Sequence, residues 1–260
     1  MNNVNGFEIE EKLCESINNK TYYELNKNLQ YLVFYLFPHL NKDISFNCFR
    51  TNNFSKPDIC VSQERDLKYI SVKTGQSEGV HNEYIKTFIQ FLKENGISDE
   101  SIETYLLYHY GDETTDGTGK RRMNTIEVRF TYDDRIRKLN EEFNASRDFI
   151  KKFADRVLFQ GVDPNAMKAE FIYHGDVEFG VFCSRNQIMR HIEKRNWNYM
   201  QTCVHVGPFT IRPHARYARS TYNNEKHEDH RHIVAVNYPR FLQDLMYISS
   251  RKQYNYNSNK

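Results

Sequence analysis

Two short alternating runs set close together, Asp58–Ser62 and Tyr69–Lys73, constrain this chain most. Ile59 and Val61 alternate with Cys60 and Ser62; Ile70 and Val72 alternate with Tyr69, Ser71 and Lys73. A period of two marks β-strands, and the short polar stretch between the runs suits a tight connection. Pro57 lacks a backbone donor and favours a strand end, so Asp58 opens the first strand. Ser71 and Lys73 share one face of the second. Paired as a hairpin, the strands bring Asp58 near Lys73. A carboxylate beside a lysine at a sheet end suits phosphodiester cleavage: the acid can hold a divalent cation, and the lysine can position or activate water or stabilise charge on phosphorus.

The pattern Pro57-Asp58, a gap, then Ser71-Val72-Lys73 resembles the PD-(D/E)xK nuclease superfamily. The following Lys73-Thr74-Gly75 and Val80-His81-Asn82-Glu83 look like those of small standalone type II restriction-type endonucleases. The motif spans about a tenth of the chain, and the order of elements extends the likeness over roughly residues 1–130. The resemblance implies an α/β protein with a restriction-endonuclease-like mixed sheet flanked by helices and a second α+β lobe. It implies Mg²⁺ as cofactor, with Mn²⁺ able to substitute. Asp58 is then a metal ligand and Lys73 a catalytic residue. Ser71 stands where the family has an acid, so the second carboxylate must come from elsewhere. Glu11 is favoured over Glu8 on the first helix, and Glu83 and Glu78 are the nearest candidates after the hairpin. Each has an ordinary structural alternative, since acids in a first helical turn serve the helix dipole. The implied partner is double-stranded DNA, bound by a homodimer in many such enzymes.

Composition narrows the rest. With 260 residues and 39% hydrophobic content, the chain is long enough for one large domain or two packed ones. A net charge of +2 provides no global basic field, so any DNA surface is local. The five cysteines are scattered, without Cys-x-x-Cys spacing, which argues against a disulfide framework or zinc knuckle. The first residues lack the charged and apolar regions of a signal peptide, and residues 31–37 form the longest apolar run, too short to span a bilayer. A cytoplasmic protein without membrane contact is expected.

Along the chain, apolar spacing predicts helices over 7–17, 21–37 and 82–95, and strands over 45–50, 103–110 and 124–132. One or two helices follow over 134–161. The pattern then shifts to short strands at 169–173, 177–183, 202–206, 209–213 and 233–236, with helices over 184–195 and 239–248. This divides the chain into a nuclease core of 1–162, an α+β lobe of 163–248 expected to read DNA, and a flexible tail of 249–260.

Candidate DNA contacts are Gln76 and His81 beside the hairpin, Arg121 and Arg122 in a Gly- and Asp-rich loop, and Arg212 and Arg216 in the second lobe. Arginine suits bidentate contact with phosphate or guanine; a scattered solvated surface is the alternative. His227, His230 and His232 invite a metal reading, against which stands an exposed-loop composition. Three functional classes stay open: a DNA endonuclease, with a junction or repair nuclease on the same fold as its close variant; a catalytically degenerate DNA-binding module; and a metal-independent interaction protein.

Overall fold

The computed structural model describes residues 6–51, 56–74, 78–120, 123–195, 197, 203–214 and 230–257, the last seven by backbone alone. Gln76, Arg121, Arg122, Arg216 and His227 lie outside the described residues.

The chain forms two compact units that interleave in sequence. The first comprises 1–77, 158–191 and 240–260; the second comprises 78–157 and 192–239. These units differ from a division at residue 162. Strand pairing gives the reason. In the first unit, strands β1 (Asn47–Arg50), β2 (Ile59–Gln63), β3 (Asp66–Lys73), β5 (Phe171–Gly175) and β6 (Gly180–Ser184) form one sheet in the order β1-β2-β3-β5-β6. β3 and β5 are parallel, with Ile70–Lys73 opposite Phe171–His174, while the other neighbours are antiparallel. A parallel pair needs a long crossover. Here that crossover contains residues 78–157, which build the other unit.

Helices α1 (Gly6–Ile17) and α2 (Lys27–Leu36) cover one face of this mixed sheet. Leu13, Cys14 and Ile17 of α1 pack with Leu29, Leu32 and Val33 of α2 and with Cys48, Ile59, Val61, Ile70 and Val72 of the strands. Toward the opposite face, the Cys183 thiol meets the Leu245 carbonyl at 3.6 Å, on the last helix, Phe241–Asn257. β2, the second strand of the sheet, is buried at every position. The expected helix over 21–37 is interrupted: Tyr22–Glu24 form a 3₁₀ turn, and Asn26 restarts the chain by accepting from Leu29 N at 2.9 Å.

The second unit holds an antiparallel sheet of β4 (Gly79–Tyr84), β7 (His205–Val206), β8 (Phe209–Pro213) and β9 (Ile233–Asn237), ordered β4-β9-β8-β7. It also holds helices α3 (Ile85–Glu94), α4 (Asp99–Tyr110), α5 (Thr125–Thr131), α6 (Asp133–Ala145) and α7 (Arg147–Asp155). Phe88 stacks edge-on with Tyr105, and Phe153 with Phe209, in an aromatic core. A further helix, α8 (Arg185–Lys194), follows β6, and Phe241–Asn257 is α9, running through the expected tail boundary at 249.

Two expected strands are helices. Residues 103–110 belong to α4, whose start is capped by Ser98 and whose end is closed by Gly111 in the left-handed region at φ 59°. Nearly all sides of α4 are buried, from Ser101 and Ile102 to His109 and Tyr110, so no apolar stripe betrays the helical period. Residues 124–132 contain α5, begun by a capping box between Asn124 and Glu127. Ile126, Val128 and Phe130 alternate like a strand, yet only Val128 is buried; Ile126 and Phe130 are 74% and 86% exposed. The predicted third helix also starts later. Gly79–Tyr84 pair with β9, Glu83 opposite Val234, before α3 begins.

Candidate active site

Asp58 precedes β2 and is fixed by its own backbone: its N–H donates to Ile70 O at 2.8 Å, and its carbonyl accepts from Thr51 N at 3.0 Å. The carboxylate turns toward β3. Oδ2 accepts from Val72 N at 2.6 Å and from Ser71 Oγ at 3.1 Å. Lys73 Nζ stands 3.8 Å from the same oxygen, too far for a hydrogen bond and close enough for attraction. Among the described residues Oδ1 has no hydrogen-bond donor. The period of the strand thus brings Ser71, Lys73 and Asp58 together. Ser71, fully buried, serves as a donor that orients Asp58.

Of the acids on α1, Glu10 rather than the expected Glu11 is the one that feels the charges of Asp58 and Lys73. Leu13, Cys14 and Ile17 are the buried positions of α1, and residue 10 lies three and four positions before the first two. Glu10 therefore shares their face, while Glu8 and Glu11 are exposed. The buried Cys14 four residues on is the signal that would have found it. Glu10 Oε2 accepts from Arg50 Nε at 3.2 Å. Burial pushes the Glu10 carboxyl above its ordinary value and the charge of Asp58 pushes it further, while Arg50 and Lys73 oppose the rise. Glu10, Asp58, Arg50 and Lys73 are therefore one electrostatic cluster. Their side chains are 16%, 26%, 26% and 21% exposed, partly desolvated yet reachable. The start of α1 also reaches the end of β3: a Cβ on Gly6 would stand 3.7 Å from Thr74 Oγ1.

Glu83 has a different environment. It belongs to the second unit, with a side chain that is 0% exposed. Arg156 donates through Nε to Oε1 at 3.1 Å and through Nη2 to Oε2 at 2.6 Å. Thr87 Oγ1 donates to Oε2 at 3.1 Å, and His81 Nε2 stands 3.3 Å from Oε1. Burial alone would raise its pKa; the bonds from His81 and Arg156 override that and bring it down to about 2. Both oxygens are occupied, so Glu83 closes a buried ion pair and is not an open ligand. His81, expected as a DNA contact, is drawn into the same cluster with its side chain 8% exposed.

Of the remaining candidates, Arg212 is exposed on β8. His232 Nδ1 lies 2.9 Å from Tyr110 Oη, and the His230 ring packs edge-on against His214. Among the described residues no group of three or more His, Cys, Asp or Glu is arranged to hold a metal. In the same residues no helix is long and apolar enough to cross a membrane.

No family model matches the chain, and no curated protein matches it in sequence. Among solved structures it is similar to restriction endonuclease MspI, crystallised in complex with its cognate DNA: 9% sequence identity, a TM-score of 0.47, and coverage of 87% of this chain and 86% of that one.

Proposed function

We propose that this chain is a metal-dependent, restriction-type endonuclease that hydrolyses phosphodiester bonds in double-stranded DNA. One observation carries the reading. Glu10, bonded by Arg50 at 3.2 Å, and Asp58, 3.8 Å from Lys73, are both partly buried, and each keeps one carboxylate oxygen without a donor among the described residues. Two such acids fit Mg²⁺, which typically takes one or two carboxylates and completes its shell with water and substrate phosphate. Asp58 and Glu10 are its proposed ligands, and Mn²⁺ suits the same oxygens. When bound, the cation supplies neutralisation of charge building on phosphorus and a lowered pKa for water.

The protein's own groups do the rest. Ser71 Oγ and Val72 N–H hold Oδ2 of Asp58, which leaves Oδ1 as the proposed ligand atom. Lys73, whose Nζ stands 3.8 Å from Asp58, orients the attacking water or stabilises an oxygen of the transition state. The second unit, with Arg212 exposed on β8, is assigned to DNA recognition. A homodimer working in the cytoplasm completes the proposal. The competing reading is a DNA-binding module without catalysis, favoured by Ser71 where an acid would stand.

Digestion of supercoiled plasmid with Mg²⁺, with and without a chelator, tests the proposal. Nicked or linear product that appears with Mg²⁺ and vanishes with chelator is expected. Duplex binding without cleavage in any divalent cation would favour the binding module. Cleavage that survives chelation would overturn the role of the metal.

A further inference from the structure

Arg50 takes no part in the chemistry above, yet it is built into the same cluster. It ends β1 opposite Ile59, and the next residue, Thr51, donates its N–H to the Asp58 carbonyl at 3.0 Å. Its backbone is therefore anchored beside Asp58. Its guanidinium is fixed in a second way, by lying over the Phe7 ring at 3.5 Å from the centroid. Stacking of this kind sets the plane of the guanidinium and leaves its edge for hydrogen bonds. Only Nε is used, by Glu10 at 3.2 Å; neither Nη has an acceptor among the described residues. A guanidinium whose terminal nitrogens are uncommitted is the fork that matches two phosphate oxygens.

Charge accounting suggests when that fork becomes available. Glu10 and Asp58 contribute two negative charges and Arg50 and Lys73 two positive ones, so the cluster is neutral by itself. A divalent cation taken up by Glu10 and Asp58 leaves it with two excess positive charges. Arg50 then loses its carboxylate partner while remaining partly buried, a state that is costly until another anion replaces the acid.

We infer that Arg50 is a phosphate-binding residue held in reserve by Glu10, released to the substrate phosphodiester when a divalent cation takes that carboxylate. The inference rests on the nuclease reading of the site and deepens it: cation and nucleic acid binding are coupled through one exchangeable ion pair. The coupling is reciprocal, as linkage requires, so duplex DNA must also tighten cation binding.

The test is duplex binding by the full chain, followed by fluorescence anisotropy of a short labelled duplex in Ca²⁺ and in chelator. In Ca²⁺, Arg50→Ala should weaken binding by about tenfold and lower the salt slope by about one, as for one phosphate contact. In chelator the same variant should change affinity by less than about twofold, because Glu10 already occupies the arginine. Glu10→Gln should do the reverse in chelator, tightening binding several-fold by releasing the guanidinium. The Glu10→Gln/Arg50→Ala double variant should lose that gain. Arg50→Lys keeps the charge without the fork and should recover only part of the Ca²⁺ affinity. Thermal unfolding of each variant identifies any that fail to fold, and the double-variant comparison needs only those that do.

An equal loss in Ca²⁺ and chelator would show a fixed DNA contact or a structural arginine and overturn the exchange. No loss in either would remove Arg50 from the site. If the parent binds and cleaves DNA while Arg50→Ala matches it, the inference alone falls. If the parent shows neither cation-dependent duplex binding nor cleavage, the nuclease reading falls with it.

Discussion

In the first unit, Asp58 leaves one oxygen without a donor and its lysine stands 3.8 Å away; in the second, Glu83 has both oxygens filled by Arg156, Thr87 and His81. Both are acids beside a cation, Asp58 at the start of β2 and Glu83 within β4. The contrast separates an ion pair that serves the fold from one that awaits a ligand. Glu83 is withdrawn from water and compensated in full, as a buried carboxylate must be to remain charged. Asp58 and Glu10 remain partly wet and partly unsatisfied, an arrangement that costs stability and is suited to binding a cation.

The contrast breaks first at Asp58. Asp58→Ala should lower Mg²⁺-dependent cleavage by roughly a thousandfold or more, while loss of its bonds from Val72 N–H and the buried Ser71 hydroxyl should cost about 1–3 kcal/mol of stability. A folded variant that cleaves like the parent would place the metal elsewhere. The opposite signature belongs to Arg156. Arg156→Ala strands a buried charge and should cost about 3–5 kcal/mol in urea unfolding, while the folded fraction keeps its Mg²⁺ requirement. A change in the metal titration with unchanged stability would show that the two sites had been assigned the wrong way round.

Acid distinguishes the two carboxylates by sign. Glu83 falls from an ordinary 4.5 to about 2, so its stabilisation is complete above about 4.5 and is lost as the pH drops through about 2. The full swing is roughly 3 kcal/mol. Glu10 is raised, so its contribution runs the other way: stability declines as the pH rises through the window between its ordinary and its raised value. Urea unfolding across pH with Glu83→Gln and Glu10→Gln reads both; matching slopes in the two variants would contradict the contrast. A smaller effect sharpens it. Glu10→Gln should raise the Mg²⁺ concentration needed for half-maximal cleavage by about tenfold, and Glu11→Gln should leave it unchanged, since carboxylate number sets cation affinity.

The hairpin and its face were legible because a two-residue period admits few alternatives: Ser71 and Lys73 had to point the same way, and Asp58 had to meet them. Glu10 was legible only in part. The apolar stripe of α1 gave the helix, but choosing among four nearby glutamates required knowing that Cys14 is buried beside Leu13. Arg50 carried no motif, because its place in the site depends on which strand lies beside which. The α4 segment misled for a related reason. Burial on almost every side erases the periodicity by which sequence reveals a helix, leaving Ser98 and Gly111 as its only marks. The interleaving of the two units was hidden in the parallel pairing of β3 with β5, a contact between residues about a hundred positions apart.

Lys73 decides whether this cluster performs chemistry or merely holds DNA. Cleavage of a duplex in Mg²⁺ and binding of the same duplex in Ca²⁺ are measured on Lys73→Ala and the parent. A lysine acting in the transition state predicts a rate lowered by roughly a hundredfold with affinity little changed. Unimpaired cleavage, or a loss of affinity large enough to account for the whole loss of rate, would contradict it.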